Sequence, residues 1–218
     1  MIKSKNNSAA RLVFNNYIDR LLRKTFSNFY LCNEYPALNS NESVLLTPNH
    51  FSWWDGFFID YIIRKETNLE LRIMMLEEQL KKYWFFKYVG AYSIDPNNPL
   101  TTKDSINYTR KLLSEKNNAV IIYPQGEIEP FDKRPLSIKK GISLMLKNSN
   151  NINVIPAAFS IIFSDQKLPS IFLRFGYPIS SKSILNDFNT FEYAFYNNLN
   201  LLTEAVLSRN IIKDYFNQ

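Results

Sequence analysis

The sequence predicts an α/β fold: a single layered domain with a mostly parallel mixed sheet flanked by helices, plus an N-terminal amphipathic helix. Three observations carry that expectation. Short apolar runs alternate with segments of helical spacing, the pattern of parallel strands joined by helical crossovers. At 218 residues the chain is long enough for one domain with a sizeable core and too short for two. Only 5 glycines are present, and no internal repeat or low-complexity linker divides the chain.

Residues 1 to about 8 are polar and are expected to be disordered. From 9 to 30, Leu12, Val13, Phe14, Tyr17, Ile18, Leu21, Leu22, Phe26 and Phe29 recur at three- and four-residue intervals. Arg11, Asp19, Arg20, Arg23 and Lys24 take much of the remaining surface, so this is an amphipathic helix. Such a helix either packs on its own domain or lies on an anionic bilayer. Residues 1–35 are therefore assigned to a membrane-surface helix and 36–218 to the α/β domain. Then follow in order a strand over 43–46, a helix over 53–64, a strand over 71–76 and a helix over 77–88. A short strand over 91–94 precedes a helix over 103–115. The β-branched run 119–123 reads as a buried strand, followed by a helix over 136–147. Strands over 154–160 and 171–175 and a helix over 190–209 complete the pattern.

Composition narrows the function classes. Aromatic residues reach 15%, with 17 Phe and 13 Tyr, more than one core usually needs; some are expected on a lipid-facing surface or an acyl-chain groove. The single Cys32 excludes an internal disulfide and a cysteine-built metal site. With one histidine as well, a zinc site would need carboxylates for nearly all its ligands, so no metal is expected. The net charge of +6 attracts anionic partners, yet the basic residues are scattered among acidic ones and no nucleic-acid recognition motif is present. No secretory signal is apparent, and no apolar run reaches the ~18 residues of a membrane span. The expected setting is peripheral, at the cytoplasmic face of a membrane.

The sole histidine stands in Pro48-Asn49-His50-Phe51-Ser52-Trp53-Trp54-Asp55. Histidine can shuttle protons near neutral pH, and a carboxylate can fix its tautomer and stabilise its protonated form. Five residues along a continuous helix rotate by about 500°, leaving two side chains roughly 140° apart. The pair cannot meet mid-helix; it can meet if His50 lies in the loop after the strand and Asp55 in the first helical turn, with Ser52 as N-cap. Ser52 as a nucleophile lacks the flanking glycines of a nucleophile elbow. A second constellation is Ile121-Ile122-Tyr123-Pro124-Gln125-Gly126-Glu127, a buried strand running into a tight turn. It is either a plain turn or a close backbone approach to a ligand at the carboxyl end of the sheet. In Val154-Ile155-Pro156-Ala157 the proline points to a strand start, a bulge or an edge.

In this order and spacing the blocks resemble the glycerolipid acyltransferase family, the lysophosphatidate-acyltransferase-like enzymes. The family's NHxSxxD block matches Asn49, His50, Ser52 and Asp55. Its GxxxID block resembles Gly90 to Asp95, its [FY]PEG block resembles Tyr123-Pro124-Gln125-Gly126, and its hydrophobic-Pro-Ala block matches Val154 to Ala157. The resemblance spans roughly residues 40 to 180. It implies a membrane-surface O-acyltransferase that moves a fatty acyl group from a thioester donor, acyl-CoA or acyl carrier protein, to a lipid or glycolipid hydroxyl. His50 is then the general base and Asp55 orients it, with no cofactor beyond the donor. Substrate contacts are expected from Asn49, Ser52, Tyr123, Pro124, Gln125, Gly126, Glu127, Lys133 and Arg134.

Departures bear on the acceptor. The family places arginines where Pro96 and Ile128 stand, and glutamate where Gln125 stands. Those arginines are associated with the acceptor's phosphate, a role suited to guanidinium geometry. Their loss, with Glu127 and Glu129 in the same loop, points to an acceptor hydroxyl that is not beside a tightly held phosphate. Lys133, Arg134, Lys139 and Lys140 follow closely and either replace the lost charge or form a solvated helix start. The alternatives within this resemblance are a catalytically idle lipid-binding protein and an acyl-thioester hydrolase. Expected partners are an anionic membrane surface, the lipid alcohol and the thioester donor.

Overall fold

Strands β2 (Val44–Pro48), β5 (Asn118–Ile121) and β6 (Asn153–Ile162) lie side by side at the centre of one nine-stranded sheet. The structure, a computed structural model, describes residues 1–36, 42–149 and 151–217. Outward from β5 run β3 (Glu70–Leu76) and β4 (Ala91–Ile94), all parallel to their neighbours. On the other side β7 (Ser170–Phe175) is antiparallel to β6, and β1 (Asn28–Leu31) runs parallel to β7. Short antiparallel pieces, β8 (Ile179–Ser180) on β6 and β9 (Lys213–Asp214) on β1, complete it. The sheet is therefore mixed and mostly parallel.

Alternation along the central strands sends side chains into two cores. Leu46, Ile121 and Ile155 face Phe58 and Ile62 of α2 (Asp55–Glu66) and Ile18 and Leu22 of α1 (Ser8–Thr25). Their sequence neighbours Leu45, Val120 and Val154 face the opposite layer. That layer comprises α4 (Pro99–Ser114), α5 (Gly141–Leu146), α6 (Ser181–Asn186) and α7 (Asn189–Ser208). A strand with both faces covered reads as a continuous apolar run, as 119–123 does.

Several boundaries differ from the sequence reading for identifiable reasons. Phe26 and Phe29 continue the helical period of α1, but the backbone turns extended at Phe26 and Asn28–Leu31 pair with Ser170–Leu173. A short apolar run does not distinguish helix from buried strand. Residues 1–35 thus contribute a strand to the same sheet as 36–218. Residues 1–7 are ordered rather than disordered: Ser93 N donates to Ile2 O at 2.9 Å and Lys5 N to Lys87 O at 2.7 Å. α4 begins at Pro99, because Asn98 caps Leu100 N and Thr101 N and proline suits the first turn.

The predicted helix 77–88 is split into α3 (Glu77–Lys82) and a 3₁₀ segment, Trp84–Val89. Gly90 ends the latter at φ 101°, where an added Cβ would lie 2.1 Å from Leu71 O. α5 starts at Gly141 rather than 136, since the preceding chain bonds to the loop after β5 through Lys139 N and Pro124 O at 2.9 Å. Pro156 stands inside an interior strand, not at a start or edge. Its ring packs on Gly176, just beyond the end of β7, and its carbonyl still accepts Gly176 N at 2.7 Å.

Candidate active site

Because β2 and β5 are parallel, the loops that follow them emerge at the same edge of the sheet, the carboxyl end where α/β folds hold ligands. Asn49 turns inward at this point. Its side chain accepts from Phe159 N at 2.7 Å and donates to Phe159 O at 3.0 Å, fastening the loop to β6. His50 comes next. Ser52 Oγ accepts Trp54 N at 2.9 Å and closes the turn, and α2 opens at Asp55. The expected N-cap at Ser52 is displaced, for the capping position falls on Trp54, which makes no side-chain cap.

One carboxylate oxygen gathers this turn. Asp55 Oδ2 accepts His50 Nδ1 at 2.9 Å, Phe51 N at 2.8 Å and Ser52 N at 3.0 Å. Loop histidine and helix-opening aspartate therefore meet as the spacing required. Asp55 is fully buried, and burial pushes its carboxyl upward, opposed by hydrogen bonds from His50 and the two backbone N–H groups. With two backbone donors already on Oδ2, the contact to Nδ1 is best made by an N–H, which leaves the lone pair of a neutral imidazole on Nε2.

The imidazole stacks on Tyr123, with ring centroids 4.1 Å apart and planes at 21°. Burial drives the Tyr123 hydroxyl well above its ordinary pKa, so the plate under His50 is a neutral phenol. Beside the two rings opens a cavity of 490 Å³. His50, Trp53, Gly56, Tyr123, Gly126 and Glu127 border it at one side, and Phe14, Met74, Met75, Phe86 and Ile94 supply apolar wall. Apolar walls with a few convergent polar groups suit a hydrocarbon chain carrying one reactive end.

Of the other residues expected at substrate, Tyr123, Gly126 and Glu127 border the cavity, while Asn49 and Gln125 are buried and fully engaged with protein groups. Pro124 is buried in the turn. Ser52 is spent on Trp54 N. Lys133 pairs with Glu129. Arg134 donates to Phe131 O and Lys133 O, both at 2.7 Å. Neither of these two cations lines the cavity. Ile128 does line it and is half exposed, at the position where the family carries an arginine. Glu129, expected to add negative charge to the loop, does not face the cavity. It is instead buried and held down to about 2 by Lys133, with help from Ser137 and Gln125. The i, i+4 spacing of Glu129 and Lys133 was the available signal. Among the described residues no group of three or more His, Cys, Asp or Glu is placed to hold a metal, and no helix is long and apolar enough to cross a membrane.

Comparison with known proteins matches residues 31–160 to the acyltransferase family, a stretch containing all four sequence blocks. A 1-acyl-sn-glycerol-3-phosphate acyltransferase of Streptococcus pneumoniae (strain ATCC BAA-255 / R6) is 23% identical over 154 residues, 68% of this chain and 55% of the relative. The chain thus spans about half the length of that curated relative. The crystal structure of the 1-acyl-sn-glycerophosphate (LPA) acyltransferase PlsC from Thermotoga maritima superposes with a TM-score of 0.63 and 18% identity. The match covers 87% of this chain and 77% of that one, a likeness of fold.

Proposed function

The chain belongs to the acyltransferase family, and on that premise we propose that it is a membrane-surface O-acyltransferase transferring a fatty acyl group from a thioester to a lipid hydroxyl. The observation that carries the reading is the His50–Asp55 pair, 2.9 Å apart, at the border of an apolar cavity. His50 Nε2 takes the proton of the acceptor hydroxyl as its oxygen attacks the thioester carbonyl. Asp55 stabilises the imidazolium so formed. The tetrahedral intermediate then collapses: the C–S bond breaks, the thiolate takes the proton from the imidazolium, and an ester and a free thiol leave.

The donor in this proposal is acyl-CoA or acyl carrier protein, either of which presents the same thioester. The acceptor is a lipid or glycolipid alcohol. Both relatives are named for lysophosphatidate-type acceptors, but Pro96 and Ile128 stand where arginines would grip a phosphate. We therefore place the reacting hydroxyl away from a tightly held phosphate. High activity on lysophosphatidic acid with other lipid alcohols inert would overturn that clause.

Peripheral docking at the cytoplasmic face belongs to the same proposal. Phe14 of α1 packs on Phe86 and Phe57 at the cavity wall, while Leu12, Val13 and Tyr17 stay exposed. Trp53, Trp84 and Phe85 are likewise exposed large apolar groups, an arrangement suited to an interfacial surface.

The test is acyl transfer from a defined thioester to a panel of lipid alcohols, read by mass spectrometry, with purified wild type and His50→Ala. Ester should form with wild type and vanish in the folded variant. Ester formed by folded His50→Ala refutes the mechanism, and thioester loss without ester assigns a hydrolase.

A further inference from the structure

Gln125 is fully buried and grips the His50 peptide from both sides. Its Oε1 accepts His50 N at 2.6 Å, and its Nε2 donates to His50 O at 3.0 Å. The second Nε2 hydrogen goes to Glu129 Oε2 at 3.1 Å, and Glu129 N returns a bond to His50 O at 2.9 Å. Glu129 Oε2 also accepts Ser137 N at 3.1 Å, and Oε1 accepts the Lys133 ammonium. Within this strut each amide and carboxylate oxygen has a donor and each amide hydrogen an acceptor, the condition under which a buried polar network rigidifies its surroundings.

Donor and acceptor chemistry dictates the residue type. Only a primary amide of this length offers one acceptor to His50 N and two donors to His50 O and Glu129. A glutamate in place of Gln125 would present carboxylate oxygen to the His50 carbonyl and to a second buried carboxylate. The glutamine that departs from the family block thus has a partner, the Glu129–Lys133 pair that begins four residues on.

We propose that Gln125 is a positioning residue that sets the place of His50 against Asp55 through the His50 main chain, and that Glu129 dictates an amide there. Its effect on catalysis rests on the acyl-transfer reading, whereas its effect on the imidazole does not. Gln125 acts through His50 and touches no substrate.

The test exploits the single histidine. Isotope-labelled histidine gives one set of imidazole nitrogen resonances, readable in the whole 218-residue chain without any activity. Gln125→Glu should displace those resonances, and adding Glu129→Gln should bring them part of the way back. Return is partial because the exchanged amide at position 129 can donate to the exchanged carboxylate, but that carboxylate still faces the His50 carbonyl, where the native amide donates. In turnover assays Gln125→Glu should lower kcat about 100-fold, the effect of a roughly 1 Å misplacement, with KM within about threefold. The double variant should recover about tenfold of that loss. If Gln125→Glu does not fold, Gln125→Met removes the grip without adding charge and should displace the same resonances. Resonances of a folded Gln125→Glu or Gln125→Met protein that overlay on wild type overturn the proposal, as does a double variant that recovers nothing. Absence of acyl transfer by wild type removes the functional reading and leaves the imidazole result to decide the positioning.

Discussion

Replacing Asp55 by asparagine isolates the charge of the pair while preserving its shape. Asparagine Oδ1 can still accept Phe51 N, Ser52 N and His50 Nδ1, so the turn before α2 keeps its bonds. What disappears is the negative charge 2.9 Å from the imidazole. At an effective dielectric of about 20 such a pair attracts by about 6 kcal/mol when the imidazole is protonated. With about half of that charge developed in the transition state, the loss is about 3 kcal/mol, or roughly 100-fold in kcat. The assay is steady-state acyl transfer over a range of thioester concentrations spanning KM, beside a thermal melt to establish folding. KM should change little, because Asp55 is fully buried and does not line the cavity. An Asp55→Asn protein that melts like wild type and keeps kcat within about threefold would refute the assigned role.

Three further outcomes are expected. Glu129 is held at about 2 against an ordinary 4.5; since its folded pKa is depressed, its stabilisation is present above pH 4.5 and lost as pH falls through about 2. Wild type should therefore exceed Glu129→Gln in stability by a constant margin above that window, shrinking within it, and a margin independent of pH would contradict the Lys133 pairing. Gly90→Ala places Cβ 2.1 Å from Leu71 O at φ 101° and should destabilise the chain by about 3 kcal/mol in urea unfolding, whereas a neutral result would deny the left-handed turn. Serine at both Trp84 and Phe85 removes two exposed rings, each worth about 1.5–3 kcal/mol on burial, and should weaken sedimentation with anionic vesicles at least about tenfold. Unaltered binding would place the membrane contact elsewhere.

The layered α/β fold was readable because β2, β5 and β6 are covered on both faces and carry unbroken apolar runs, while α2, α4 and α7 keep a helical period. β1 escaped because Phe26 and Phe29 extend the period of the helix before it, and the strand is made by distant pairing with β7, some 140 residues on, and with β9. The His50–Asp55 contact was legible since a five-residue gap does not close along a continuous helix but does across a loop and a helix start. Asn49 and Gln125 read as substrate contacts for one shared reason: a polar side chain beside a site looks like a ligand contact, and spacing does not reveal that it is buried and bonded to backbone. The cavity left no trace in spacing, since Phe14, Gly56, Met74 and Phe86 come from four separate elements.

Beyond the local bonds to Asp55, the anchors of the loop after β2 are drawn from far along the chain. Gln125 lies 75 residues beyond His50, and Phe159 lies 110 beyond Asn49. Contacts of such separation must overcome loop-closure entropy before they stabilise anything, which slows folding and ties it to topology. A nascent polypeptide emerging from the ribosome therefore holds His50 untethered until β6 has been synthesised. The working geometry is assembled only once the middle of the sheet has closed, and a truncated translation product ending before Phe159 should carry the complete histidine–aspartate motif with no fixed orientation between its two members.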